Sequence, residues 1–140
     1  MQKNFEEEFM DIQSGLISLC LEAVEGKADK VYAYVSNEAK SRAFNAFFES
    51  KGEIKSAGKM IDDRDVLKQF FNIGIEDIER MNKLCDTYGM KKPTELKMIY
   101  DVKNGKYQAD YRYDEVCSAK TDLVAHEVFF AWMDEVRQTQ

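Results

Sequence analysis

The dipeptide Asn104-Gly105, in the middle of PTELKMIYDVKNGKYQADYRYD at residues 93–114, constrains this chain more than any other feature. A two-residue type I′ turn needs φ > 0 at both central positions, which asparagine and glycine tolerate best, so the segment predicts a β-hairpin. With Lys103 opposite Lys106, Val102 falls opposite Tyr107, Tyr100 opposite Ala109, Met98 opposite Tyr111 and Leu96 opposite Tyr113. One face is then apolar or aromatic throughout. The other collects Glu95, Lys97, Ile99 and Asp101 against Gln108, Asp110, Arg112 and Asp114. A slip of one residue would mix the two sets on every pair, so turn chemistry and period-two patterning support each other. The first face is expected to be core, and the second to be presented to solvent or a partner.

The rest of the chain alternates with this pattern. Phe5, Phe9, Ile12, Leu16, Leu19 and Ala23 keep spacings of four and three, which predicts a helix from about Asn4 to Glu25. Asn4 is its expected cap, Glu6, Glu7 and Glu8 oppose the positive end of its dipole, and Gly26 is its expected stop. Lys30 to Val35 and Arg42 to Glu49 are rich in β-branched and aromatic residues and predict a second hairpin, with a four-residue loop at Asn37 to Lys40. Its two faces hold Val31, Ala33, Val35, Phe44, Ala46 and Phe48 on one side and Tyr32, Tyr34, Asn45 and Phe47 on the other. Aromatic residues on both sides imply a pair covered at least in part on both faces. Lys51-Gly52 signals another turn, with a short third strand over Glu53 to Ser56.

From Ile61 to Gly89 the spacing becomes helical again through Leu67, Phe71, Gly74, Ile78, Met81, Cys85 and Tyr88. Asp62 or Asp63 starts this helix, and Gly89 and Pro93 stop it. Gly74 lies on the buried stripe, so either the helix runs through it beneath a closely approaching neighbour or residues 72–74 kink it. After the second hairpin, Cys117 to Lys120 reads as a loop, with Thr121 or Asp122 capping a last helix over Leu123 to Gln138. Val128, Phe129, Trp132, Met133 and Val136 are its expected inner residues. The order α-β-β-α-β-β-α predicts one α+β domain over 1–140, two antiparallel hairpins in one sheet packed on about three helices. At 140 residues and 44% hydrophobic, the chain has enough apolar material for one core.

A net charge of -6 disfavours nucleic acid and anionic membrane as partners, since both select a basic surface. No apolar run approaches the ~20 residues of a membrane span, and the acidic start MQKNFEEEFMD is unlike a signal peptide, so a cytoplasmic location is expected. Cys20, Cys85 and Cys117 are odd in number and far apart, indicating neither a disulfide framework nor a zinc site. Catalytic material is thin. His126 is the one histidine; a Cys117/His126 pair is conceivable because both flank one loop, but no oxyanion or orienting group accompanies it. The carboxylates at 62–65 and 76–79 match helix starts and exposed helix faces rather than a calcium loop, and no phosphate-binding or hydrolase motif occurs. The residues imply no cofactor and no metal. Tyr100, Tyr107, Tyr111 and Tyr113 share the face that must cover the core, so a base-stacking platform is the weaker reading.

The segments KVYAYVSNEAKSRAFNAFFESKGEI (30–54) and PTELKMIYDVKNGKYQADYRYD (93–114), joined by an aspartate-led helix and followed by FFAWMDEV, resemble the YezG-like immunity family over most of the chain. The chain has Ala28-Asp29 where members often carry a tryptophan before the first strand. The resemblance implies a cytoplasmic antitoxin, not an enzyme, that binds and neutralises a cognate secreted toxin domain, often a nuclease exported by the type VII route. A basic nuclease groove would attract an acidic partner, which makes Glu95, Asp101, Asp110, Arg112 and Asp114 of the polar hairpin face the expected toxin contacts. Two other classes stay open: a regulatory or scaffolding module, and a small enzyme using Cys117 and His126. Exposed edge strands allow a monomer or a homodimer.

Overall fold

A computed structural model describes residues 3–38, 41–117 and 123–140. The first helix, α1 (Phe5–Ala23), starts as its sequence requires: the Asn4 side chain accepts from the Glu7 amide at 2.9 Å. It ends just before Glu25 and Gly26, both at positive φ. Its deepest line is Gln13, Leu16, Ile17 and Cys20, with Phe5, Phe9, Ile12 and Leu19 flanking it half-buried.

Five antiparallel strands form one sheet in the order β3-β2-β1-β4-β5, where β1 is Lys30–Glu38, β2 Ser41–Ser50, β3 Glu53–Ser56, β4 Glu95–Asp101 and β5 Tyr107–Arg112. The central strand β1 is buried from Val31 through Asn37. The two faces of the first hairpin are populated as expected, with Val35 opposite Phe44, Ala33 opposite Ala46 and Val31 opposite Phe48. The register is two residues further on than a loop at Asn37 to Lys40 implies. β1 pairs on through Glu38 with Ser41, because Asn37 is held inside: it exchanges amide hydrogen bonds with Asn82 at 2.8 and 3.0 Å and donates to the Pro93 carbonyl at 2.9 Å. The remainder of that loop, residues 39–40, lies outside the described residues.

The second hairpin is corrected in the same sense. Tyr100 pairs with Tyr107, Met98 with Ala109 and Leu96 with Tyr111, two residues from the expected register, so each residue keeps its face but changes its partner. The turn is not of type I′. Only Gly105 takes a positive φ (72°), and the Asp101 carboxylate accepts from the Lys103 and Asn104 amides at 3.0 and 3.4 Å, a side-chain cap that widens the loop. A turn with two central residues at positive φ does occur, at Lys51 and Gly52 between β2 and β3.

A short helix, α2 (Ala57–Met60), not expected from the sequence, leads into α3 (Arg64–Tyr88). Asp63 caps α3 by accepting from the Asp65 and Val66 amides, and Gly89 at φ 65° ends it. The helix runs unbroken through Gly74. A Cβ there would lie 2.1 Å from Phe44 Cδ2 of β2, so glycine is required for the approach of that ring. Helix α4 (Ala125–Gln138) begins two residues later than expected, with Phe129, Trp132 and Met133 buried; its expected caps Thr121 and Asp122 and the loop at 118–120 lie outside the described residues.

The sheet has helices on both faces. Under α1 and α3 lie Val31, Ala33, Val35, Phe44, Ala46, Phe48, Leu96 and Met98, while under α4 lie Tyr32, Tyr34, Phe47 and Ile54. The result is an α+β domain. No helix of the described residues is long and apolar enough to cross a membrane.

Candidate partner-binding face

Helix α4 packs on β3, β2 and β1 and leaves the outer face of β4 and β5 as a polar shelf beside it. Period-two alternation places Glu95, Lys97, Ile99 and Asp101 of β4 on this face, paired with Arg112, Asp110 and Gln108 of β5. The shelf rests on a fixed base, since the reverse sides of β4 and β5 carry Leu96 and Met98 into the main core.

The five residues expected to meet a partner are distributed unevenly. Glu95 is only 3% exposed; it accepts from the Tyr34 hydroxyl at 3.1 Å, with Lys97 Nζ 4.0 Å from its other oxygen. A carboxylate needs such partners when buried, so it anchors the shelf rather than forming its surface. Burial, reinforced by Glu95, pushes the Tyr34 phenol well above its ordinary range, so it stays a donor at neutral pH. Lys97 lies along the shelf with its ammonium 5.5 Å from the Trp132 ring centre, tying α4 to β4.

Asp101 is half-buried and occupied in capping the turn. Asp110 is exposed and directly opposite Lys97. Arg112 and Asp114 are exposed and form a bidentate pair, Nε to Oδ1 at 3.0 Å and Nη2 to Oδ2 at 2.6 Å. That hydrogen bonding holds the Asp114 carboxyl below its usual range and the Arg112 guanidinium above its own. The shelf is therefore mixed in sign, as the alternation of Lys97 and Arg112 with the carboxylates implies, and two of its charged pairs, Lys97 with Glu95 and Arg112 with Asp114, are matched within it. Exposed carboxylates without such close matching lie on the helices of both faces, at Glu6 and Glu7 of α1, at Asp65, Glu76 and Glu79 of α3, and at Glu127 and Glu135 of α4.

Sequence spacing could not find two further polar sites. The Glu38 carboxylate accepts from the Val116 and Cys117 amides at 3.1 and 2.6 Å, pinning the segment after β5 to the end of β1 across 78 and 79 residues of chain. On the opposite face Gln13, 1% exposed within an otherwise apolar stripe, accepts from the hydroxyls of Tyr107 and Tyr111. Next to it a groove of 310 Å³ is lined by Met10, Ser14, Ile17, Ser18, Tyr100 and Tyr107.

Burial and the neighbouring Glu38 push the half-buried Cys117 thiol up, which keeps it protonated; the other side chains acting on it are Ser36 and Glu95. His126 is exposed on the first turn of α4. Among the described residues no group of three or more His, Cys, Asp or Glu side chains is placed to hold a metal ion. Compared with known proteins, the chain matches no family model and no curated protein.

Proposed function

We propose that this chain is an immunity protein that binds a cognate toxin domain through the polar shelf of β4 and β5, acting by stoichiometric occlusion without turnover or cofactor. The observation that carries this reading is the shelf itself: a two-stranded polar face left open beside α4 and fixed from below by a packed core. Preformed, rigid surfaces lose little conformational freedom on association and suit tight one-to-one binding. The resemblance of residues 30–54 and 93–114 to the YezG-like family supplies the class of partner. A basic nuclease domain in the cytoplasm of the producing cell is the expected target, drawn in by the net charge of -6 and held at Gln108, Asp110 and the rim formed by Asp101 and Asp114.

The test is co-expression with the toxin-like domain encoded beside this gene. A one-to-one complex that restores growth is expected, with affinity falling as salt rises. Exchanging Asp110 for Lys and Gln108 for Glu in separate variants should change affinity by about tenfold each if the shelf is the contact, a shift of roughly 1.4 kcal/mol. No complex and no rescue would overturn the function; rescue with affinity and salt dependence untouched by both substitutions would overturn the placement.

A further inference from the structure

The two edges of the sheet are built differently. At one edge β3 has only four residues, the Gly52 carbonyl of the turn just before it accepts from the Gln140 side chain, and α4 packs beside it. Short, covered edges resist pairing with other chains. At the other edge β5 runs six residues, TyrGlnAlaAspTyrArg at 107–112, without proline or lysine, and among the described residues its only neighbour in the sheet is β4.

The hydrogen-bonding direction along β5 follows from the turn. Asp101 N donates to Lys106 O, so positions 106, 108, 110 and 112 face β4, and the N–H and C=O groups of Tyr107, Ala109 and Tyr111 point outward. Tyr111 and the following Tyr113 are 37% and 42% exposed, large rings beside an unpaired edge.

We propose that β5 pairs antiparallel with β5 of a second copy of this chain, about a two-fold axis through Tyr111, joining the two sheets into one of ten strands. A two-fold perpendicular to the sheet keeps each face on its own side and allows only registers in which a residue is centred on its own copy. Centring on Asp110 sets two carboxylates opposite each other. Centring on Ala109 sets Lys106 opposite Arg112. Centring on Tyr111 sets Asp110 opposite Arg112 of the second copy, twice over, where the Nη1 group that Arg112 does not use in its pair with Asp114 is left to meet it, and places the outward-facing Tyr111 groups in a hydrogen-bonded pair. The Asp110 and Arg112 contacts then fall at non-hydrogen-bonded positions, where side chains approach most closely. Tyr113 lies opposite Ala109 in this register, so the four exposed rings at 111 and 113 cover one another and the small side chain between them. The pairing leaves the polar shelves of both copies on the same side, side by side. It does not depend on the immunity reading.

Sedimentation equilibrium and two charge reversals test the register. The wild-type chain should show a mass rising toward twice the monomer as concentration increases to about 1 mM, the range of weak interfaces. Asp110→Arg places arginine opposite arginine, and Arg112→Asp places aspartate opposite aspartate, so each variant alone should weaken the dimer at least tenfold. Mixed one to one, the two variants restore both opposite-charge contacts and should form a heterodimer at wild-type concentrations. Circular dichroism of each variant confirms that it is folded before it is compared. A wild-type chain that stays monomeric, single variants that dimerise undiminished, or a mixture that fails to associate would each overturn the proposal.

Discussion

Replacing Gly74 with alanine tests the packing of the helical layer against the sheet. On an exposed helix this change would stabilise the fold by about 1 kcal/mol, since glycine loses more backbone entropy than alanine. Here the added Cβ would sit 2.1 Å from Cδ2 and 2.4 Å from Cγ of Phe44. Ordinary contact begins near 3.5–4.0 Å, so the ring must retreat by roughly 1.5 Å. Turning the ring about its own axis does not clear Cγ, which lies on that axis, and Phe44 is buried with its ring centre 5.2 Å from that of Phe70. The side chain or the α3–β2 spacing must therefore shift, at the upper end of the about 1–3 kcal/mol that overpacking costs. Subtracting the helix gain leaves a net loss of about 2 kcal/mol, or a Tm lowered by roughly 6–10 °C for a domain of this size. Urea denaturation of wild type, Gly74→Ala, Phe44→Leu and the double variant measures it, with an unchanged m-value as the check on two-state behaviour. Phe44→Leu should cost at least about 1 kcal/mol less in the alanine background than alone. A Gly74→Ala protein as stable as wild type, or single effects that add within about 0.5 kcal/mol, would refute the close-contact reasoning.

Two further substitutions probe α4 and the buried charge of α3. Trp132 has its ring centre 4.9 Å from Phe47 and 5.8 Å from Tyr32, so Trp132→Ala should cost about 3–5 kcal/mol and raise amide exchange in α4 before it does so in β1; uniform exchange through both elements would contradict this. Burial holds the Asp77 carboxyl above its usual range, with Arg80 opposing that shift. A folded pKa raised above the unfolded one gives stability that is full below the unfolded pKa and lost as pH rises through the folded value. Asp77→Asn should therefore be more stable than wild type at pH 7, with the advantage fading as pH drops through the carboxylate range; a less stable variant at pH 7 would mean that the ion pair with Arg80 outweighs burial.

Much of the fold is legible in local chemistry. Asn4 and Asp63 cap their helices as read, and period-two alternation assigns Val31 to Val35, Phe44 to Phe48, Leu96 to Asp101 and Tyr107 to Tyr111 to their proper faces. Register is harder, because a shift of two residues preserves every face and leaves no trace in the hydrophobic pattern. It is decided by side-chain hydrogen bonds, from the Lys103 and Asn104 amides to Asp101 at one turn and from Asn37 to Asn82 and the Pro93 carbonyl at the other. Gly74 could be placed on the buried stripe, but the ring that requires it belongs to a strand 30 residues away. The candidate face was half legible: Asp110, Arg112 and Asp114 are exposed on one side as expected. Glu95 is not, since its burial depends on Tyr34, a contact spanning 61 residues. Likewise Glu38 and Gln13 are ordinary polar residues in sequence and become partners only through distant chain.

The position of α4 also bears on the order in which the molecule can be completed. All five strands and both helices of the opposite layer precede α4 in the chain, so during synthesis the sheet and its first layer can assemble while α4 is still missing. In that interval Tyr32, Tyr34 and Phe47 form a bare aromatic surface, next to an unpaired edge at β5. The nascent chain is then at its most adhesive, and α4, emerging after the sheet, acts as a built-in shield that ends the exposure once Phe129, Trp132 and Met133 dock.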